Sequence, residues 1–110
     1  MNDWHAQLYT AIQLHLEATV PLLIVELLEQ GGPTEHDYAS VRSYGRVIAE
    51  HSDALLFREK AVSSQVMDKL VAGIAVLAFC PGGVRVFGLR FDACALAAQR
   101  GSHYQDLPRL

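Results

Sequence analysis

Five histidines, two cysteines and twelve carboxylates are the side chains in this 110-residue sequence with the means to bind a metal or attack a bond. A metal site on a helix needs donors at i and i+3 or i+4, so that two ligands share a face. His5, His15, His36 and His51 have no His, Cys, Asp or Glu at those offsets, and only His103, with Asp106, does. That pair lies in a polar tail, so no metal is expected. A nucleophilic cysteine must ionise. Cys80 closes an apolar run at the expected end of a helix, where both the dipole and burial oppose a thiolate, and Cys94 has the carboxylate of Asp92 close by.

Other catalytic signatures are missing. Phosphate-binding loops place glycines before a helix, whereas Pro81-Gly82-Gly83 follows one and carries no lysine; a type II turn accounts for it better. Glu17, Glu26, Glu50 and Asp68 fall on separate helical faces, and the sequence holds no Gly-x-Ser-x-Gly elbow. No cofactor is expected. An enzymatic reading would need a site assembled across two copies, from residues such as His36, Tyr44, Glu50 and His51.

The elements that would carry these residues are mostly helices. From Asp3 to Glu29 apolar residues recur at spacings of 3 and 4 until Gly31-Gly32-Pro33 stops them. They form two stripes. One is Tyr9, Ile12, Leu16, Val20, Leu23 and Leu27; the other is Ala11, Leu14, Ala18, Pro21, Val25 and Leu28. Two stripes predict a helix covered on two sides, and Pro21 predicts a kink or a restart near Thr19. Thr34 caps a second helix whose buried face begins with Tyr38 and Val41. Ser63 or Ser64 caps a third that runs to about Cys80, and Asp92 caps a short fourth ending near Gln99.

Between the last two helices, residues 84–91 read as one strand, with Arg85, Phe87, Leu89 and Phe91 on one face and Val84, Val86, Gly88 and Arg90 on the other. Its backbone donors and acceptors need partners. Two pairings fit: a parallel βαβ unit with residues 54–59, or antiparallel pairing with a second copy across a two-fold axis. The second is preferred.

Composition favours self-association. Apolar residues make up 51% of the chain and charged residues 19%, against about 25% charged in ordinary domains. A chain this short has little interior in which to hide the surplus. The expected architecture is therefore a single mainly α domain of residues 1–110: three long helices, a short C-terminal helix, one strand at about 84–91 pairing across a dimer interface, and a polar tail from 102. The expected interface comprises Val84, Val86, Phe87, Leu89 and Phe91, with Leu14 and Val25 of the first helix.

Charge is divided unevenly. Residues 1–41 contain six acids and no Lys or Arg, whereas residues 42–110 contain nine bases and six acids. Arg42, Arg46, Arg85 and Arg90 are the candidate contacts for a partner. The segment 38–53 has the rhythm of a helix-turn-helix, and a small DNA-binding regulator is the runner-up. A pI near 5.9 and an acid-only first third disfavour nucleic acid. No run approaches 18 uninterrupted apolar residues, and only two cysteines occur, which predicts a soluble cytoplasmic chain with free thiols and no membrane partner. The resulting expectation is a small non-catalytic interaction or regulatory protein acting as a homodimer, whose partners are a second copy of itself or another protein.

Overall fold

A computed structural model of the chain describes residues 3–42 and 63–99. Within them the protein is mainly helical, with a short two-stranded antiparallel sheet. The elements in order are α1 (Asp3–Glu29), α2 (35–42 as described), α3 (Ser64–Leu77), β1 (Val84–Val86), β2 (Leu89–Phe91) and α4 (Ala93–Gln99).

The long first helix is unbroken. Pro21 lies inside it, where it removes one backbone donor, and the predicted restart near Thr19 does not occur. Burial explains the continuity. Ile12, Leu16, Val20, Ile24 and Leu28, spaced four residues apart, are all at most 3% exposed and hold the helix against α3 on both sides of the proline. Each side chain so buried contributes roughly 1.5–3 kcal/mol, comparable with the ~3 kcal/mol that a helix-interior proline costs. The end of α1 is a Schellman motif, in which Gly32 N–H donates to the Leu27 carbonyl at 2.8 Å and Gly31 N–H to that of Leu28 at 3.1 Å.

The predicted caps form. Thr34 and Asp37 bond reciprocally: Thr34 N–H donates to Asp37 Oδ2 at 2.8 Å, and Asp37 N–H donates to Thr34 Oγ1 at 3.2 Å. Ser63 Oγ accepts from Val66 N–H at 3.3 Å at the start of α3. Asp92 Oδ1 accepts from Cys94 and Ala95 N–H at 3.0 and 3.2 Å, starting α4. Central in the packing is α3, where Leu70, Ile74 and Ala75 are fully buried. Beyond it the chain reverses at Cys80–Gly83, a type II turn with Gly83 N–H donating to the Cys80 carbonyl at 2.8 Å and Gly82 at φ 79°.

The reading of residues 84–91 as one strand is corrected. The segment is a hairpin, with Val84 opposite Phe91, Arg85 opposite Arg90 and Val86 opposite Leu89. The chain turns at Phe87-Gly88, both at positive φ, 50° and 76°, the geometry of a two-residue type I′ turn. Turning there also changes which side chains share a face. Val84, Val86, Leu89 and Phe91 all pack on the core, and Arg85 and Arg90 both point outward. Residues 54–59, the alternative strand partner, lie outside the described residues.

Candidate functional site

The four arginines proposed as partner contacts fall on different elements. Arg42 is exposed on α2, Arg85 and Arg90 are exposed on the hairpin, and Arg46 lies outside the described residues. Arg90 has a structural task. Its Nε and Nη2 donate to the Gly82 carbonyl at 3.3 and 3.2 Å, and Nη2 also reaches Asp92 Oδ2 at 3.1 Å. It therefore ties the turn before β1 to the cap of α4. Drawing the guanidinium toward Asp92 also relieves the repulsion of two like charges directly opposite on a hairpin. Arg85 is exposed and forms no such bond among the described residues.

Two of the polar groups that could act chemically, Asp37 and Ser40, are engaged within their own helix and its cap. A cleft of about 220 Å³ is lined by His36, Asp37 and Ser40 above Leu23, Leu27, Ala72 and Val76. Those three residue types would suggest acyl transfer if they faced one another. They do not. Asp37 Oδ2 is occupied by the Thr34 amide and hydroxyl, and Ser40 Oγ donates to the main-chain carbonyl of His36 at 3.0 Å. Tyr44, Glu50 and His51 lie outside the described residues. Burial pushes the Cys80 thiol up from its ordinary value, as its place in an apolar run predicts. The Tyr38 phenol is also raised, first by burial and then by the negative charges that Cys80, Asp37 and Cys94 would carry. Among the described residues no group of three or more His, Cys, Asp and Glu is placed to hold a metal ion.

More informative is the outer side of α1. Leu14 is 61% exposed and Leu22 is 70% exposed, and Ala11 and Ala18 beside them are also open to solvent. Val25 and Pro21 are half-buried, whereas Leu28 belongs to the core. The second predicted stripe is thus uncovered over its first half within the single chain. A shallow groove lined by Ala6, Gln7, Thr10, Ala11 and Leu14 continues it toward the N-terminus. Leu22 was missed by the stripe reading because Pro21 filled the same step of the 3–4 pattern. A leucine four residues beyond Ala18 and eight beyond Leu14 was the available signal. Of the residues assigned to a dimer interface, Leu14 and Val25 sit on this surface, whereas Val84, Val86, Leu89 and Phe91 pack against the chain's own core. Phe87 stacks edge-on against Tyr9, with ring centroids 5.8 Å apart.

Between Trp4 and Glu29, α1 is long and apolar enough to cross a membrane, with a mean hydropathy of 1.5 over its most apolar window. The core helix of a soluble protein and a signal sequence pass the same test, and 28% of that stretch is buried within the fold. Comparison with known proteins gives no match to any family model, curated protein or solved structure.

Proposed function

We propose that the chain is a small, non-catalytic interaction or regulatory protein that works as a homodimer in the cytosol, using the outer face of α1. The observation that carries this reading is the exposure of Leu14 and Leu22, about two turns apart on one helix face, with the exposed Ala18 midway between them. Large apolar side chains scattered singly need no explanation, but a contiguous row along a helix is the form that docking surfaces take. Further support comes from the low charged fraction of the sequence, from the use of Asp37 and Asp92 in helix caps, and from the bond of the Ser40 hydroxyl to the backbone of its own helix.

Size-exclusion chromatography coupled to light scattering, run over a concentration series, tests the proposal. Wild-type chain is expected at twice the monomer mass at high concentration. The double substitution Leu14→Asp and Leu22→Asp should raise the dissociation constant at least about 100-fold while leaving helix content unchanged. A wild-type monomer at all concentrations would refute the homodimer.

A further inference from the structure

The apolar row on α1 has an internal symmetry. Counting from Ala18, leucines stand four residues away on either side, Leu14 and Leu22. Small or branched apolar residues stand seven away, Ala11 and Val25, and polar residues eleven away, Gln7 and Glu29. At 3.6 residues per turn, all six lie within about 40° of the Ala18 direction, and each pair is disposed evenly about it. An antiparallel pair of identical helices with its two-fold axis at residue 18 sets residue i level with residue 36 − i of the other copy. A stripe that reads alike in both directions from its centre is what such an isologous contact requires.

We propose that two copies of the chain pair through α1, antiparallel, with the two-fold axis at Ala18. This rests on the homodimer reading above and specifies its geometry. At the centre Ala18 meets its own copy, where the short side chain lets the axes approach toward the ~8 Å end of the usual range. On either side Leu14 lies level with the second copy's Leu22 and packs beside it. Farther out, Val25 enters the groove formed by Gln7, Thr10, Ala11 and Leu14 of the other chain.

Charge selects this orientation. α1 carries Asp3, Glu17, Glu26 and Glu29 and no Lys or Arg, so any pairing of the helix with itself must keep carboxylates apart. A parallel pair in register would place Glu17, Glu26 and Glu29 each level with its own copy. With the antiparallel centre at Ala18, Glu17 is level with Thr19, Glu26 with Thr10 and Glu29 with Gln7. Each of these three acids then has an uncharged neighbour, and the Gln7 amide can donate to the Glu29 carboxylate. The same lack of cations argues against an anionic lipid surface as the occupant, because such surfaces recruit helices that carry lysine and arginine.

From Gln7 to Glu29 the contact is about 33 Å long. A single helix pair of that length falls at or below the lower end of specific interfaces, near 1,200 Å² in total, so dissociation in the micromolar range is expected.

Cysteine cross-linking of the full-length chain under mild oxidation tests the geometry, with light scattering reporting the mass independently. Cys80 and Cys94 of the wild-type chain set the background. Ala18→Cys should link to its own copy in high yield. Ala11→Cys alone should not, because its two copies would stand about 21 Å apart along the axis. A mixture of Ala11→Cys and Val25→Cys chains should link to each other. A dimer in which Ala11→Cys links to itself, or in which none of these pairs links, overturns the antiparallel arrangement and leaves the homodimer standing. A monomer that gives no cross-link overturns both.

Discussion

The side-chain amide of Gln13 donates to the main-chain carbonyl of Phe87 at 2.8 Å, across 74 residues of sequence. Phe87 occupies the first position of the hairpin turn, at φ 50°, where a bulky residue is strained. The bond from α1 fixes that carbonyl, and Tyr9, one turn before Gln13, holds the ring edge-on at 5.8 Å. The turn is therefore set by the long helix as well as by its own sequence.

Removing this bond should loosen the hairpin. Gln13→Ala is expected to cost about 1 kcal/mol, the usual net value of a partly buried hydrogen bond, and to speed hydrogen exchange in β1 and β2 before it affects α3. Urea denaturation followed by circular dichroism gives the first quantity, and exchange mass spectrometry the second. Unchanged exchange in the hairpin would show that Gln13 does not hold the turn.

Phe87→Asn separates strain from packing. Asparagine tolerates positive φ and makes Asn-Gly, the most favoured two-residue turn, which should recover about 1 kcal/mol. It also gives up the contact with Tyr9 and the core, worth roughly 1.5–3 kcal/mol when fully made. The expected net result is a loss of about 1 kcal/mol. A stabilised variant would mean that the ring contributes little.

These two residues also show where sequence reasoning reached its limit. The mainly helical character, the glycine stop of α1 and the caps at Thr34, Ser63 and Asp92 were legible because each depends on neighbours within four residues. The hairpin was not. Phe87-Gly88 lacks the Asn or Asp that usually announces a type I′ turn, so an unbroken alternation from Val84 to Phe91 was the simpler reading. A turn after Val86 reverses the parity of everything beyond it, and Arg90 moves to the same face as Arg85. The exposure of α1 was half legible. Composition announced surplus apolar surface and periodicity placed Leu14 in a second stripe, but only tertiary packing decides that Leu28 is covered while Leu22 is not.

The raised thiol of Cys80 and phenol of Tyr38 give stability a direction with pH. Both groups hold their protons more tightly in the folded chain than in the unfolded one. Their contribution is fully present below the unfolded pKa, near 9.0 for the thiol, and is lost as pH rises through the folded values. Denaturation midpoints should therefore fall between about pH 8.5 and 10.5, and Cys80→Ser should flatten the lower part of that fall. A midpoint that rises across this range would contradict the assignment. Alkylation by iodoacetamide at pH 8 should be slower at Cys80 than at a free thiol of ordinary pKa.

Gly82 and Gly83 stand side by side at φ 79° and 74°, yet substitution should separate them widely. Nothing lies within 4 Å of a Cβ built on Gly82, so Gly82→Ala pays only the strain of the left-handed conformation, about 1 kcal/mol. A Cβ on Gly83 would press against the Phe91 carbonyl oxygen and the backbone of Asp92, neither of which can swing aside as a side-chain end can. Yielding would displace Asp92 from the amides of Cys94 and Ala95 and from Arg90, and would shift Phe91 in the core. Gly83→Ala should therefore cost at least about 3 kcal/mol, the sum of backbone strain, a lost cap and disturbed packing. Thermal melts of the two variants side by side provide the comparison. Equal melting temperatures would mean that β2 and the start of α4 are not held against this turn as closely as the structure places them.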